Sequence, residues 1–176
     1  MTSPSRTADD ARFLGPGEGS AIWFLRNRMT VKATAASTGG AFGLLESVIA
    51  PGFSPPLHVH HREDEAFYVL EGELTMRCGE RTFRALPGSF VFLPRDVPHT
   101  FLVEGDRPAR MLTLLTPGGG EGVFIDGGRP AESEGLPPVT PPDIPALKRV
   151  SAIYGADIVG PPLSPSPASS RREAER

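Results

Sequence analysis

Turn-forming residues recur about every 8–12 residues between positions 20 and 116, a spacing typical of an all-β sandwich or barrel rather than of β-α-β units. Glycine and proline each occur 20 times in 176 residues, and this abundance favours turns and short strands over long helices. We therefore predict an all-β fold. The main turn signals are Pro51-Gly52, Glu71-Gly72, Gly79-Glu80, Pro87-Gly88 and Glu104-Gly105.

The short apolar segments between the turns are predicted to be strands. They cover residues 21–25, 29–34, 42–49, 66–70, 74–77, 81–86, 90–93, 99–103 and 109–115. A turn at Arg26-Asn27 is predicted to join the first two. Residues 117–122 predict a glycine-rich loop that lacks the Lys-Ser/Thr of a phosphate-binding loop. Apolar residues at helical spacing within 144–154 predict a short C-terminal helix, which Asp143 caps and Gly155 ends.

The length of the chain suits a single domain that can bury its own core. Residues 1–18 are polar and predict a flexible N-terminal tail. Residues 164–176 are rich in Ser, Pro and Arg and predict a disordered C-terminal tail. The predicted domain, with its C-terminal extension, therefore occupies residues 19–163.

The charge and the cysteine content limit the partners that this chain can have. The net charge of −3 gives no reason to expect nucleic acid or an anionic membrane as a partner. Cys78 is the only cysteine, so no intramolecular disulfide can form, which is compatible with a reducing compartment. Residues 1–20 lack an apolar signal segment, and no stretch approaches the roughly 18 apolar residues of a membrane span. We expect a soluble, cytoplasmic protein.

Histidine and carboxylate side chains form the most informative pattern in the sequence. His58 and His60 are two residues apart, so an extended strand would point both imidazoles to one face. Glu65 follows after a polar turn, and His99 opens a later strand that a barrel can bring alongside. Imidazole and carboxylate ligands together suit divalent Fe, Mn, Co, Ni, Cu or Zn. Four such ligands in an octahedral site leave two positions for water, dioxygen or an anionic substrate.

A His-x-His pair by itself is most often two surface or core histidines, and Glu65, His99 and the surrounding glycines and prolines strengthen the metal interpretation. His61 alternates away from the His58/His60 face. We predict that residues 61–64 form a solvated turn and contain no ligand.

Two motifs resemble those of the cupin superfamily. Residues 52–72 read G-x5-H-x-H-x4-E-x6-G and match the first cupin motif at every defining position. Residues 88–99 read G-x5-P-x-D-x2-H and resemble the second motif. The sequence departs from the second motif at two positions. Asp96 stands where the family usually has glycine, and Val103, four residues after His99, stands where the family usually has asparagine. Neither position is a metal ligand in the family, so the four-ligand set is retained.

The resemblance implies a cupin jelly-roll β-barrel with the metal inside one mouth, held by His58, His60, Glu65 and His99. It also implies a homodimer, often with N-terminal strands exchanged between partners. The strand that carries Trp23 is the candidate for this exchange, and ordinary packing of that strand on its own sheet is equally open.

Within the superfamily the chain is similar to single-domain cupins related to quercetin (flavonol) 2,4-dioxygenases, over about residues 20–163. This resemblance implies a metal-dependent dioxygenase, and an apolar pocket lined by aromatic residues suits an aromatic or flavonol/polyketide-like substrate better than a sugar. The resemblance also implies that Glu65 is either a ligand alone or in addition the catalytic base. Phe67, Phe101 and Val103 share the parity of the ligands on their strands and are the predicted substrate pocket.

Two other classes of function remain open. The same site could serve a non-redox isomerase, cyclase or lyase, in which Glu65 moves protons. A non-catalytic, ligand-binding or sensory cupin is the third possibility, because the fold alone does not choose among these functions. The C-terminal helix could cover a barrel mouth or pack outside the barrel.

Overall fold

A computed structural model describes residue 8 and residues 11–164, and most of its regular structure is strand. The strands are β1 (Ser20–Phe24), β2 (Asn27–Ala33), β3 (Gly43–Ile49), β4 (Leu57–His60), β5 (Asp64–Glu71), β6 (Leu74–Cys78), β7 (Arg81–Ala85), β8 (Phe90–Leu93), β9 (His99–Val103), β10 (Ala109–Thr116), β11 (Arg129–Pro130) and β12 (Ala156–Gly160). The helices are α1 (Ala35–Thr38), α2 (Gly122–Gly127) and α3 (Ile144–Ile153).

The strands form two antiparallel sheets that face each other as a jelly-roll β-barrel. The seven-stranded sheet has the order β11-β1-β2-β3-β10-β5-β8, and the five-stranded sheet has the order β12-β4-β9-β6-β7. The predicted all-β barrel with a short C-terminal helix is confirmed. None of the helices within residues 11–164 has the length and apolar composition that a membrane crossing requires.

The core lies between the two sheets and follows from the two-residue period of the strands. Along β10, buried residues alternate with partly exposed ones from Ala109 to Thr116. Leu45, Leu74, Met111 and Leu115 are among the large side chains with 2% or less of their surface exposed. Burial of each such side chain contributes about 1.5–3 kcal/mol, so this layer supports the barrel and the residues attached to it.

Two motif positions have a backbone conformation that explains their residue type. Gly72 has φ of 80°, and a Cβ there would lie 2.7 Å from the Cα of Ala109. Asp96, where the cupin motif usually has glycine, has φ of 63°. Aspartate tolerates this left-handed region better than most residues, so the barrel keeps its turn despite the departure.

The first hairpin turns one residue earlier than predicted. Leu25 takes the left-handed conformation with φ of 55° and forms the turn together with Arg26. Asn27 is already the first residue of β2 and only 1% exposed. The prediction of a turn at Arg26-Asn27 was therefore wrong, because leucine rarely adopts a positive φ and asparagine often does.

The C-terminal extension lies against the barrel. The predicted helix is confirmed as α3, and the side chain of Asp143 accepts a hydrogen bond from the backbone N–H of Ala146 at 2.9 Å. Part of the predicted glycine-rich loop is instead helix α2. Strand β12 pairs with β4, so that Ala156 lies opposite His60.

The N-terminal strand pairs within its own chain. β1 pairs with β2 and β11, and the Trp23 indole N–H donates to the carbonyl of Gly135 at 2.9 Å. Residues 11–18 contain no helix or strand. The rest of the predicted N-terminal tail, apart from residue 8, and the predicted disordered tail after residue 164 lie outside the described residues.

Candidate metal centre

Four predicted ligands converge at one mouth of the barrel. His58 and His60 lie on β4, and His99, the first residue of β9, is directly opposite His58 in the antiparallel register. Glu65 reaches them from β5 of the other sheet. One ligand atom from each side chain lies within 4.8 Å of the others. The structure therefore brings the four residues together, and their service as metal ligands stays a prediction.

The centre is largely closed to solvent. His60, Glu65 and His99 are 4%, 3% and 1% exposed, and His58 is partly exposed. Burial of so many ionisable groups is costly unless they pair with one another or bind a cation. The cluster thus has the polarity of a metal site and not that of an apolar core.

Each of the three imidazoles is oriented by an acceptor on its outer side. The Nδ1 atom of His58 lies 2.8 Å from the carbonyl of Pro56, and that of His99 lies 3.0 Å from the carbonyl of Val97. The Nδ1 atom of His60 lies 2.7 Å from a carboxylate oxygen of Glu63. A proton on each Nδ1 satisfies these acceptors and leaves each Nε2 lone pair for the centre.

Glu63 is the functional candidate that the sequence analysis missed. It was assigned to a solvated turn, but it is 2% exposed and its carboxylate contacts His60. The loop after β10 packs over it, since a Cβ at Gly120 would lie 2.2 Å from its Oε1 atom. No local signal distinguishes Glu63 from its neighbours, because only the returning loop buries it.

The rest of that turn agrees with the prediction. His61 is half exposed, and its two ring nitrogens pair with Asp96 at 2.6 Å and Asp157 at 3.3 Å. Arg95 pairs with Asp64 at 2.9 Å. These contacts point away from the centre and hold the turn in place between β4 and β5.

The contact between His99 and Glu65 fits a cation. The Nε2 atom of His99 lies 3.1 Å from Oε2 of Glu65, whereas Nδ1 already faces the Val97 carbonyl. With one proton on the ring at Nδ1, two acceptors face each other. A second proton on His99 or a cation between the two atoms resolves this conflict. Three imidazoles and one carboxylate suit a divalent transition metal, so the residues present fit such an ion.

The surroundings set the charge of the cluster. Burial of the ring, together with the nearby imidazoles of His99 and His60, lowers the pKa of His58 to about 3, so that His58 is neutral near pH 7. Burial alone would raise the pKa of Glu65, but the hydrogen bond from His99 and the nearby imidazoles outweigh it and hold the pKa below its usual value. Glu65 is therefore ionised, as a ligand or a base must be.

A cavity of about 80 Å³ adjoins the centre. His58, His60 and Glu65 form part of its wall, and most of the remainder is apolar. Phe67 and Phe101 both line it, with ring centroids 5.7 Å apart in an edge-to-face arrangement. Val103 is 1% exposed in the core and is not among the lining residues.

The C-terminal extension forms the other side of this cavity. Val123 and Phe124 of α2, Leu147 of α3 and Ile158 of β12 line it. The Tyr154 hydroxyl donates to Asp126, which ties the end of α3 to α2. Of the two positions considered for the C-terminal helix, the structure has the one that covers a barrel mouth.

Comparisons with known proteins agree with this architecture. The family model of the cupin domain matches residues 45–115. The chain is 28% identical to quercetin 2,3-dioxygenase of Bacillus subtilis over 146 residues, which is 83% of this chain and 43% of that protein. It is 33% identical to polyketide synthase CurC of Streptomyces cyaneus over 93 residues, which is 53% of this chain and 58% of that protein. The chain thus spans about half the length of these relatives.

Solved structures support the fold. A predicted oxalate decarboxylase from Thermotoga maritima superimposes with a TM-score of 0.55 and 18% identity, over 60% of this chain and 99% of that one. At this identity the likeness concerns the fold alone.

Proposed function

We propose that this protein, whose residues 45–115 match the cupin domain model, is a metal-dependent dioxygenase with an aromatic, flavonol- or polyketide-like substrate. The observation that carries the proposal is the position of the four-residue cluster beside an apolar cavity lined by phenylalanines, with His58, His60 and Glu65 in the cavity wall. Similarity to proteins named quercetin 2,3-dioxygenase and polyketide synthase CurC supports the choice of substrate class.

His58, His60, Glu65 and His99 would hold a divalent transition metal from the set Fe, Ni, Mn, Co, Cu and Zn. When bound, the metal would supply Lewis acidity and open positions for oxygen ligands. Dioxygen is the oxidant in this proposal, and because both of its atoms enter the product, no further reductant is needed.

The residues of the chain have separate tasks in this mechanism. Glu65, ionised and buried, accepts the hydroxyl proton of a phenol or enol and so raises the electron density of the substrate. The rings of Phe67 and Phe101 hold the aromatic plane and keep water from the reacting carbon.

A non-redox reaction is the second candidate, and the position of Glu65 favours it. Glu65 is 3% exposed and borders the cavity, so its carboxylate can take a proton from one position of a substrate and return it to another. An isomerase, cyclase or lyase would use Glu65 in this way without dioxygen, and the metal would act as a Lewis acid.

Oxygen consumption separates these candidates. Metal-free protein is reconstituted with each of the six metals and given quercetin or a catechol-like phenol. We expect oxygen uptake with at least one metal and loss of turnover in Glu65→Gln. Turnover without oxygen would favour the second candidate, and tight binding without turnover in either atmosphere would favour a ligand-binding protein. If no metal form of the protein consumed oxygen with any of a set of aromatic substrates, the dioxygenase proposal would be refuted.

We also propose that the protein is a cytoplasmic homodimer. Tyr68, Phe90 and Phe92 are 44%, 66% and 53% exposed and lie together on the outer face of the paired strands β5 and β8. An exposed aromatic group of this kind is common at protein interfaces. Sedimentation of Phe90→Ser beside the wild type would test the dimer, and cell fractionation would test the location.

A further inference from the structure

Asn27 is an unusual member of the cavity wall. It begins β2, is 1% exposed, and lines the same cavity as His58, His60 and Glu65. A buried amide normally has hydrogen-bond partners for both its oxygen and its nitrogen, because an unpaired polar group inside a protein is costly. An unpaired polar atom of Asn27 would therefore indicate that the cavity can hydrogen-bond to a polar ligand.

Among the residues that the structure describes, only the oxygen of this amide has a hydrogen-bond partner. The Oδ1 atom of Asn27 accepts the backbone N–H of Ala50 at 3.2 Å, which fixes the orientation of the amide because its nitrogen cannot accept. Within the described part of the chain, the Nδ2 atom donates no hydrogen bond. The side-chain atoms there that are both unpaired and fully enclosed are Arg26 Nε and Arg28 Nε. Asn27 Nδ2 is thus unpaired without being sealed off, and the space that it borders is the cavity.

The other polar side chains that line the cavity do not require a ligand with a hydrogen-bond acceptor. The hydroxyl of Thr113 is 3.4 Å from that of Ser47 and so has a partner. The hydroxyl of Ser151, on α3, can rotate to donate or to accept and does not select one ligand chemistry. Asn27 presents a fixed donor and therefore requires an acceptor.

The position of Asn27 also constrains the size of the ligand. In the seven-stranded sheet, β2 is separated from β5, which carries Glu65, by β3 and β10. Three strand spacings correspond to about 14 Å along the sheet. A catechol, whose two oxygens are adjacent, would use both at the centre and leave Asn27 without a partner. A ligand with a second oxygen, remote from the one at the centre, would serve both ends.

We propose that Asn27 is a specificity-determining residue, which donates a hydrogen bond from Nδ2 to a carbonyl, ether or phenolate oxygen of an aromatic ligand. This oxygen is distinct from the one bound at the metal centre. The inference rests on the proposed function for the aromatic nature of the ligand, whereas the hydrogen bond is a property of the cavity.

The test compares 1-indanone with indane, which have the same ring system and differ in the carbonyl oxygen. The full-length, metal-loaded protein is titrated with each, and the ratio of the two Kd values is measured, so that general changes in the cavity cancel. In Asn27→Leu the ratio shifts about 3–10-fold against the ketone, which is the range of one neutral hydrogen bond. Asn27→Asp, which keeps an acceptor for Ala50, provides a second variant if the leucine variant folds poorly.

Thr30→Val is the matched control. Thr30 is 3% exposed on the same strand, accepts a hydrogen bond from Arg28 at 3.1 Å, and does not line the cavity. The ratio of the Kd values for 1-indanone and indane should be the same in Thr30→Val as in the wild type. The infrared carbonyl band of bound 1-indanone should lie at lower frequency in the wild type than in Asn27→Leu. An unchanged ratio and band in both Asn27 variants, or no binding of 1-indanone to the wild type, would overturn the proposal.

The outcomes separate this proposal from the proposed reaction, because ketone binding requires neither dioxygen nor turnover. A shifted ratio in a protein that oxidises no substrate would support the role of Asn27 and refute the dioxygenase. Oxygen uptake with an unchanged ratio of Kd values would support the dioxygenase and refute the role of Asn27.

Discussion

The ligand wall (β4, β5 and β9) and the cover (α2, α3 and β12) enclose one cavity but are built differently. On the wall, all five residues of β9 are buried, and the Nδ1 atom of each imidazole and the Glu65 carboxylate have partners from the barrel. On the cover, Ser151 is the one buried residue of α3, at 6% exposure, and Ile153 is 65% exposed. The difference indicates that the barrel fixes the chemistry, whereas the cover fixes the size of the cavity and access to it.

The two regions are nevertheless joined at β4, the strand that carries the candidate ligands His58 and His60. In the pairing of β12 with β4, Ile158 lies opposite His58. The Arg62 guanidinium also donates to the carbonyl of Ile153, at the end of α3, at 3.1 Å. Changes in the cover therefore reach the ligands through the backbone of β4, and the following predictions test how far the two regions act independently.

Removal of a ligand should have the largest effect. His60→Ala or His99→Ala should lower metal affinity by more than about 100-fold, because even the outer partners of metal ligands are worth about 10–100-fold. Elemental analysis of protein purified from cells checks this. Metal content equal to that of the wild type in either variant would disprove the ligand assignment.

Two buried glutamates, Glu63 and Glu121, allow the effect of the two regions on metal affinity to be compared directly. Glu63→Gln, on the wall, should lower metal affinity by about 10-fold, because the neutral amide orients His60 but no longer raises its basicity. Glu121 lies beside the cover and accepts the N–H groups of Ala35 at 2.6 Å and Gly119 at 2.7 Å. Glu121→Gln should leave metal affinity unchanged.

The same two variants should differ in stability. Glu121→Gln should lower the free energy of unfolding by about 1–3 kcal/mol, because the amide nitrogen would face a backbone donor. Competition with a metal indicator gives the affinity and urea titration gives the stability. Equal loss of metal affinity in both variants would show that wall and cover are not separable.

A smaller effect is expected inside the cover. Leu147 lines the cavity and is partly exposed. Leu147→Ala should lower the free energy of unfolding by about 1–2 kcal/mol, which is less than the same substitution costs at a fully buried leucine. It should also widen the cavity. Metal content should stay at the wild-type value while larger ligands bind more tightly. Loss of metal in this variant would contradict the division of roles.

The smallest effect concerns the tie within the cover. The hydrogen bond to Asp126 raises the pKa of the Tyr154 hydroxyl above its usual value of about 10. Since the raised pKa favours the neutral form of the folded state, this tie stabilises the fold below pH 10 and is lost as the pH rises through the folded-state pKa. Ultraviolet titration of the two tyrosines should show one high pKa, which Asp126→Asn lowers and Tyr154→Phe removes. An unchanged titration in Asp126→Asn would contradict this tie.

Local sequence patterns were sufficient for much of the wall. The two-residue period placed His58 and His60 on one face, and the turn signals bounded most strands correctly. The same reasoning put Asn27 in a turn and Glu63 in solvent. Both errors arise because burial depends on distant residues: Ala50 holds Asn27, and the loop at Gly120 covers Glu63.

The sequence by itself determined the all-β barrel, the spacing of the candidate ligands and the short C-terminal helix, because these depend on strand periodicity, turn residues and helix caps that act over a few positions. Only the tertiary structure decided that Glu65 would meet the histidines from the opposite sheet, that Glu63 would support His60, and that the cover would close a cavity bordered by Asn27. These are contacts between segments far apart in sequence, which form only when the two sheets pack and the chain end returns to β4.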